Sequence, residues 1–121
     1  MSTALWVAIG GAFGSLARYG MSGLINYRFH PWGTVAVNVL GSFILGLLLG
    51  TWGFRADTPG RVGLAVGVLG GFTTFSTFTI DTIYLWERGE TTMAIVTVLV
   101  SVVVGLAAAV LGLAIGRSLS S

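Results

Sequence analysis

Apolar residues fall in four long stretches, with the charged positions gathered between them. No Asp, Glu, Lys or Arg occurs in residues 1–17, 29–54, 62–80 or 91–116. A helix rises 1.5 Å per residue, so about 20 residues cross a hydrocarbon core about 30 Å thick. The pattern therefore predicts four helices, at about 4–27, 33–52, 62–86 and 92–115. Arg28, His30 and Pro31 make the first connection, with Trp32 placed as an interfacial anchor. Residues 54–60, with Arg55, Asp57 and Pro59, form the clearest loop, and residues 87–91 make the last turn. The expected fold is an all-α membrane protein, a compact up-down bundle. It forms a single four-helix transmembrane domain over residues 1–121.

Composition supports a polytopic protein. Of 121 residues, 55% are hydrophobic and 8% charged, and mean hydropathy is +0.93. A soluble domain carries about 25% charged residues and could not be covered by so few. Six scattered Arg and a net charge of +2 leave no nucleic-acid footprint. The absence of Cys removes disulfides and thiolate metal sites. No basic residue precedes the first apolar stretch, so it reads as a first helix rather than a cleaved signal peptide. Nineteen Gly suit helices that pack through small residues.

Charge placement bears on architecture. With four spans, Arg55, Arg61 and Arg117 share one side, while Arg28 and Arg88 lie on the other, with Arg18 nearer to it. Orientation follows the Lys/Arg bias between short loops, and here that bias is almost absent. Two readings stay open: one loop's Arg fixes a single orientation, or the chain inserts both ways. In the second case, copies of opposite orientation can pair about an axis in the membrane plane.

Polar residues inside the spans are the candidates for chemistry. Gly70-Gly71 is followed by four hydroxyl residues among Phe72, Phe75 and Phe78, near the middle of the third span. Such a run can break a helix and free carbonyl oxygens, which suit a hard cation such as Na⁺. It can equally remain an intact helix packed through Gly63, Gly67 and Gly71, with its hydroxyls bonded one turn back. Phe75 and Phe78 share a face and either pack or present positive ring edges to a small anion. Asn38 either glues helices or offers its NH₂ to an anion, and Thr34, one turn earlier, extends its stripe. Thr97 and Ser101 make a hydroxyl pair on helix four, or each bonds its own preceding turn. Arg18 and Asp81 are the charges well inside spans. They either pair with each other, or Arg18 concentrates anions at a pore mouth. One His, no Cys and no paired carboxylates within a span leave an enzyme reading unsupported.

Three stretches together resemble the CrcB/Fluc family of fluoride channels: residues 11–19 (GAFGSLARY), 33–43 (GTVAVNVLGSF) and 70–78 (GGFTTFSTF). The resemblance covers essentially the whole chain. It implies an antiparallel, dual-topology homodimer in the lipid of a prokaryotic cell (inner) membrane, its third helix broken at the centre. It also implies passive, selective fluoride efflux and so resistance to fluoride toxicity. By the same resemblance Asn38, Phe75 and Phe78 line the pore, and a polar track includes Thr97 and Ser101. Arg18 matches the vestibule arginine. A structural Na⁺ at the dimer interface would be held by main-chain carbonyls of Gly70 and Thr73. Gly105, next on the helix-four face, brings no hydroxyl to that track.

The rival reading is a small dual-topology multidrug/proton antiporter. It needs a carboxylate in the first span, where this chain has Arg18 and no acid. A non-transporting scaffold would not need polar stripes in three helices.

Overall fold

The computed structural model describes residues 1–121 and contains helices and turns, with no strand. Helix α1 spans Thr3–Phe29 and α2 spans Trp32–Thr51. The third stretch begins as α3, Pro59–Val62, widens into a π-helical segment, Gly63–Leu69, and tightens into α4, Gly70–Phe72. Thr73 and Thr74 are extended, with φ/ψ of −100/158° and −151/121°. Helix α5 follows as Phe75–Glu87, and α6 as Thr91–Ser120.

Local chemistry sets these boundaries. The hydroxyls of Ser2, Thr58 and Thr74 accept from Leu5, Arg61 and Thr77 N–H, capping α1, α3 and α5. Pro59 adds a preset φ at the start of α3. Helix α5 ends in a Schellman turn, with Gly89 N–H on the Trp86 carbonyl and Glu90 N–H on that of Leu85. Gly89, at φ 78°, supplies the left-handed residue this turn requires. Helix α2 closes in the same way through Gly53 and Phe54.

Three stretches are long and apolar enough to cross a membrane: Trp32–Thr51, Pro59–Glu87 and Thr91–Ser120. Helix α1, at 27 residues, is about 40 Å long. It is less apolar because it carries Arg18, Arg28, Asn26 and several Ser and Gly.

Small residues hold the helices together. Gly10 and Gly14 of α1 lie against the Gly63 and Val68 carbonyls. Gly67 and Gly71 return the contact against the Val7 and Gly11 carbonyls, where a Cβ would sit 2.7 and 2.8 Å from oxygen. The order of these contacts makes α1 and the third stretch parallel. Helices α2 and α6 form a second parallel pair, with Gly46 and Gly50 against Ala109 and Leu113, and Gly112 and Gly116 against Phe43 and Leu47. This is association by close backbone approach, as lipid-solvated helices favour. Only 21 of 121 residues are buried, so large side chains contribute little to the interior. Phe13, Leu16, Tyr19, Leu24 and Val103 are exposed on the outer faces of α1 and α6.

Candidate functional site

The extended pair Thr73–Thr74 gives the third stretch its chemistry. Thr74 N–H would serve the Gly70 carbonyl in a continuous helix; it donates instead to Asn38 Oδ1 at 2.7 Å. Thr77 N–H, which would serve the Thr73 carbonyl, donates to Thr74 Oγ1 at 3.2 Å. The Gly71 carbonyl accepts from Arg18 Nε at 2.9 Å. Gly70 is exposed, with open space where a Cβ would lie. An open groove beside it is lined by Asn38, Gly41, Ser42, Gly70, Thr73 and Phe75.

Asn38 is bound on two atoms. Besides accepting from Thr74, its Nδ2 donates to the Thr74 carbonyl at 3.0 Å, leaving one N–H of the amide unused. The ring of Phe75 stands outside this pair and is 77% exposed, far more than packing requires. Phe78, half-buried, lies with its ring centroid 5.9 Å from that of Phe75, the planes tilted by 58°. Phe72 is buried and packs against Gly41.

Thr34 lies one turn from Asn38 on α2, fully buried. Its hydroxyl donates to Asp81 Oδ2 at 2.8 Å and accepts from Asn26 Nδ2 at 3.3 Å. Asn26 Oδ1 in turn accepts from Gly33 N–H at 2.7 Å. Asp81 Oδ1 lies 3.2 Å from His30 Nε2. Two rungs therefore join α2 to α5, Asn38 with Thr74 and Thr34 with Asp81.

The two intramembrane charges do not pair with each other. Arg18 caps a carbonyl freed near the end of α4, while Asp81 takes His30 and Thr34. Asn26 and His30 are the members that sequence reading did not select. The available signal was an acid inside a span together with a lone histidine in the connection on the same side.

On α6, the Thr97 hydroxyl donates to the Met93 carbonyl at 2.7 Å, the local back-bond open to any helical Thr. Ser101 differs: its Oγ is buried and has no hydrogen-bond partner. Gly105 meets nothing within 4 Å of a built Cβ.

Known proteins resemble this chain along nearly its whole length. The profile of the CrcB-like protein family, described as camphor resistance (CrcB), matches residues 5–113. The chain belongs to the CrcB family. It is 48% identical over 120 residues to the fluoride-specific ion channel FluC of Paracoccus denitrificans, covering 97% of this chain and 96% of that protein. The FluC proteins of Magnetococcus marinus and Agrobacterium fabrum are 45% and 47% identical, each alignment covering 93% of this chain and 95% and 94% of theirs. These bacterial relatives and the long apolar helices make the chain a multi-pass protein of a prokaryotic cell membrane.

Proposed function

We propose that the chain is the subunit of a fluoride-selective channel that lets fluoride leave the cell passively. The observation that carries this reading is the Asn38–Thr74 pair beside the exposed ring of Phe75. A spare amide N–H, hydroxyls and positive ring edges stand together at mid-span, facing away from the chain's own interior. Such donors can replace water around a small, strongly hydrated anion. Full-length similarity to fluoride-specific channels supports the choice of anion.

In this reading α1 is the fourth span of one transmembrane domain. Residues 59–87 form a single span interrupted at Thr73–Thr74, and two copies assemble antiparallel. The groove at Gly70 and the exposed Phe75 open onto the surface of a single chain, so the ion path is completed by the second copy. Near-equal Arg counts on the two faces support inverted insertion.

The donor set at the break fits a structural Na⁺. The Gly70 and Thr73 carbonyls have lost their helical donors, and carbonyl oxygen suits a hard cation. When bound, the ion would supply positive charge at the dimer interface, and the two main-chain carbonyls would hold it. Asn38, Phe75 and Phe78 contact the anion, Thr34 and Ser101 extend the polar path, and Thr97 braces α6 beside it. Arg18 supplies positive charge in the vestibule while ordering the end of α4. The antiporter reading has no support in α1, which contains no carboxylate and whose Arg18 is bonded to the Gly71 carbonyl.

The test is ion efflux from liposomes loaded with fluoride or chloride. Fluoride should leave far faster; equal efflux, or none, would refute the reading.

A further inference from the structure

We propose that His30 and Asp81 form a proton-responsive charge pair at one end of the ion path, through which His30 adjusts anion flux to pH. The inference rests on the channel reading above. Asp81 follows Phe78 by one turn of α5, and Thr34 precedes Asn38 by one turn of α2. The Thr34–Asp81 rung therefore lies one turn beyond the Phe75–Phe78–Asn38 region, toward the α1–α2 connection.

The cluster is built so that one proton changes its charge. Asp81 accepts from Thr34 and faces His30, and no Arg or Lys lies within ion-pair distance. Its side chain is 12% exposed, whereas that of His30 is 34% exposed and open to protons from water. No neighbouring element brings a competing charge within ion-pair distance. From α1, Asn26 contributes a neutral amide and Arg28 makes no ion pair here. On α5, Tyr84 lies edge-on to the His30 ring at a centroid distance of 5.7 Å. Arg88 is engaged with the Tyr84 hydroxyl at 2.9 Å and with Glu90 at 3.6 Å. Helix α2 carries no titratable group, and the one charge of α6, Arg117, lies by Phe54 at the far end.

With His30 protonated, the pair is neutral and an anion meets no net repulsion. With His30 neutral, the Asp81 carboxylate has no cation within ion-pair distance, Arg88 across the same pocket being held by Tyr84 and Glu90, and the Thr34 proton stays directed at it. Flux therefore falls as pH rises through the range, about pH 5 to 8, in which imidazoles change charge. In an antiparallel pair each membrane face carries one such cluster.

The test is fluoride current through the reconstituted full-length protein in planar bilayers, with the same pH on both sides. Neutral HF carries no current and so does not interfere. The wild type should pass about 3- to 10-fold more current at about pH 5.5 than at about pH 8, as for one unit charge removed near an ion's path. His30→Gln should be pH-independent at the lower level, and Asp81→Asn, which lacks the carboxylate, should pass more current than the wild type at about pH 8. A pH-independent wild type, or a dependence that survives in His30→Gln, overturns the proposal. His30 is the single histidine, so its imidazole NMR signals can be titrated without ambiguity. Asp81→Asn should displace those signals, because it changes the group facing the ring, and unmoved signals also overturn the pair. Absence of current at every pH, with signals that still respond to Asp81→Asn, identifies the channel reading as the failure and removes the gating role with it.

Discussion

Asn38 and Thr74, 36 residues apart, are joined through both backbone polar groups of Thr74: its N–H donates to Asn38 Oδ1 and its carbonyl accepts from Asn38 Nδ2. A carboxamide is the side chain that offers an acceptor and a donor side by side in this way. The pairing lets the chain leave helical geometry inside a membrane without orphaning those two groups, a loss that hydrocarbon does not repair. It also leaves one amide N–H of Asn38 unused in the groove that Phe75 helps to line.

Asn38→Asp should therefore do more than remove a donor. It places a carboxylate against the Thr74 carbonyl, and fluoride efflux should fall by more than about tenfold, with the thermal midpoint lowered as well. Asn38→Ala should cost about 1–3 kcal/mol for each Thr74 group left unpaired. Efflux and thermal unfolding measured on the same preparations check both. Wild-type efflux from Asn38→Asp would remove the residue from the path.

The three phenylalanines should separate into two roles. Phe75→Ile and Phe78→Ile should depress fluoride efflux severalfold while the protein stays folded, because Phe75 is largely exposed and Phe78 only half-buried. Phe72→Ala should cost about 3–5 kcal/mol, since that ring is buried against Gly41. The comparison is efflux per folded protein against thermal midpoint for all three. If the Phe75 and Phe78 variants conduct normally, those rings are packing.

The helical class and the family were legible because both rest on local pattern: charge-free runs for the helices, and three short motifs for the resemblance. The interruption at Thr73–Thr74 was visible only as one of two options, since Gly-Gly-Phe-Thr-Thr is also compatible with an intact packed helix. Gly63, Gly67 and Gly71 do pack, against α1, and the chain leaves helical geometry two residues after Gly71. The π-helical turns at Gly63–Leu69 left no mark in the pattern, because they follow from how the third stretch seats on α1. The partners of Arg18 and Asp81 were illegible for a related reason. Charge pairing suggested that they meet each other, but a freed carbonyl and a loop histidine are invisible until the backbone is placed.

Glycine positions should differ sharply in tolerance. A Cβ on Gly14 meets the Val68 carbonyl, and one on Gly112 meets the Phe43 carbonyl; neither backbone can yield. Gly14→Val and Gly112→Val should abolish the folded, monodisperse protein in detergent. Gly105→Ala, with open space around it, should express and elute like the wild type. Size-exclusion chromatography of the three decides the matter, and normal elution of Gly14→Val would refute the close packing of α1 on the third stretch.

The proposed cation at the break leads to a prediction that side-chain substitution cannot easily reach, because its ligands would be backbone oxygens of Gly70 and Thr73. Gly70→Ala should leave binding intact, since its Cβ would enter open space and its carbonyl stays in place. The variable to change is the ion. A site that binds only the folded assembly stabilises it in proportion to the logarithm of ion concentration once the site is filling. The thermal midpoint of the purified protein should therefore rise with Na⁺ and remain flat with choline at the same ionic strength. Replacing Na⁺ by choline should also reduce fluoride efflux or dissociate the dimer. A midpoint and an efflux rate that ignore this exchange would leave the freed carbonyls of Gly70 and Thr73 without a cation to hold.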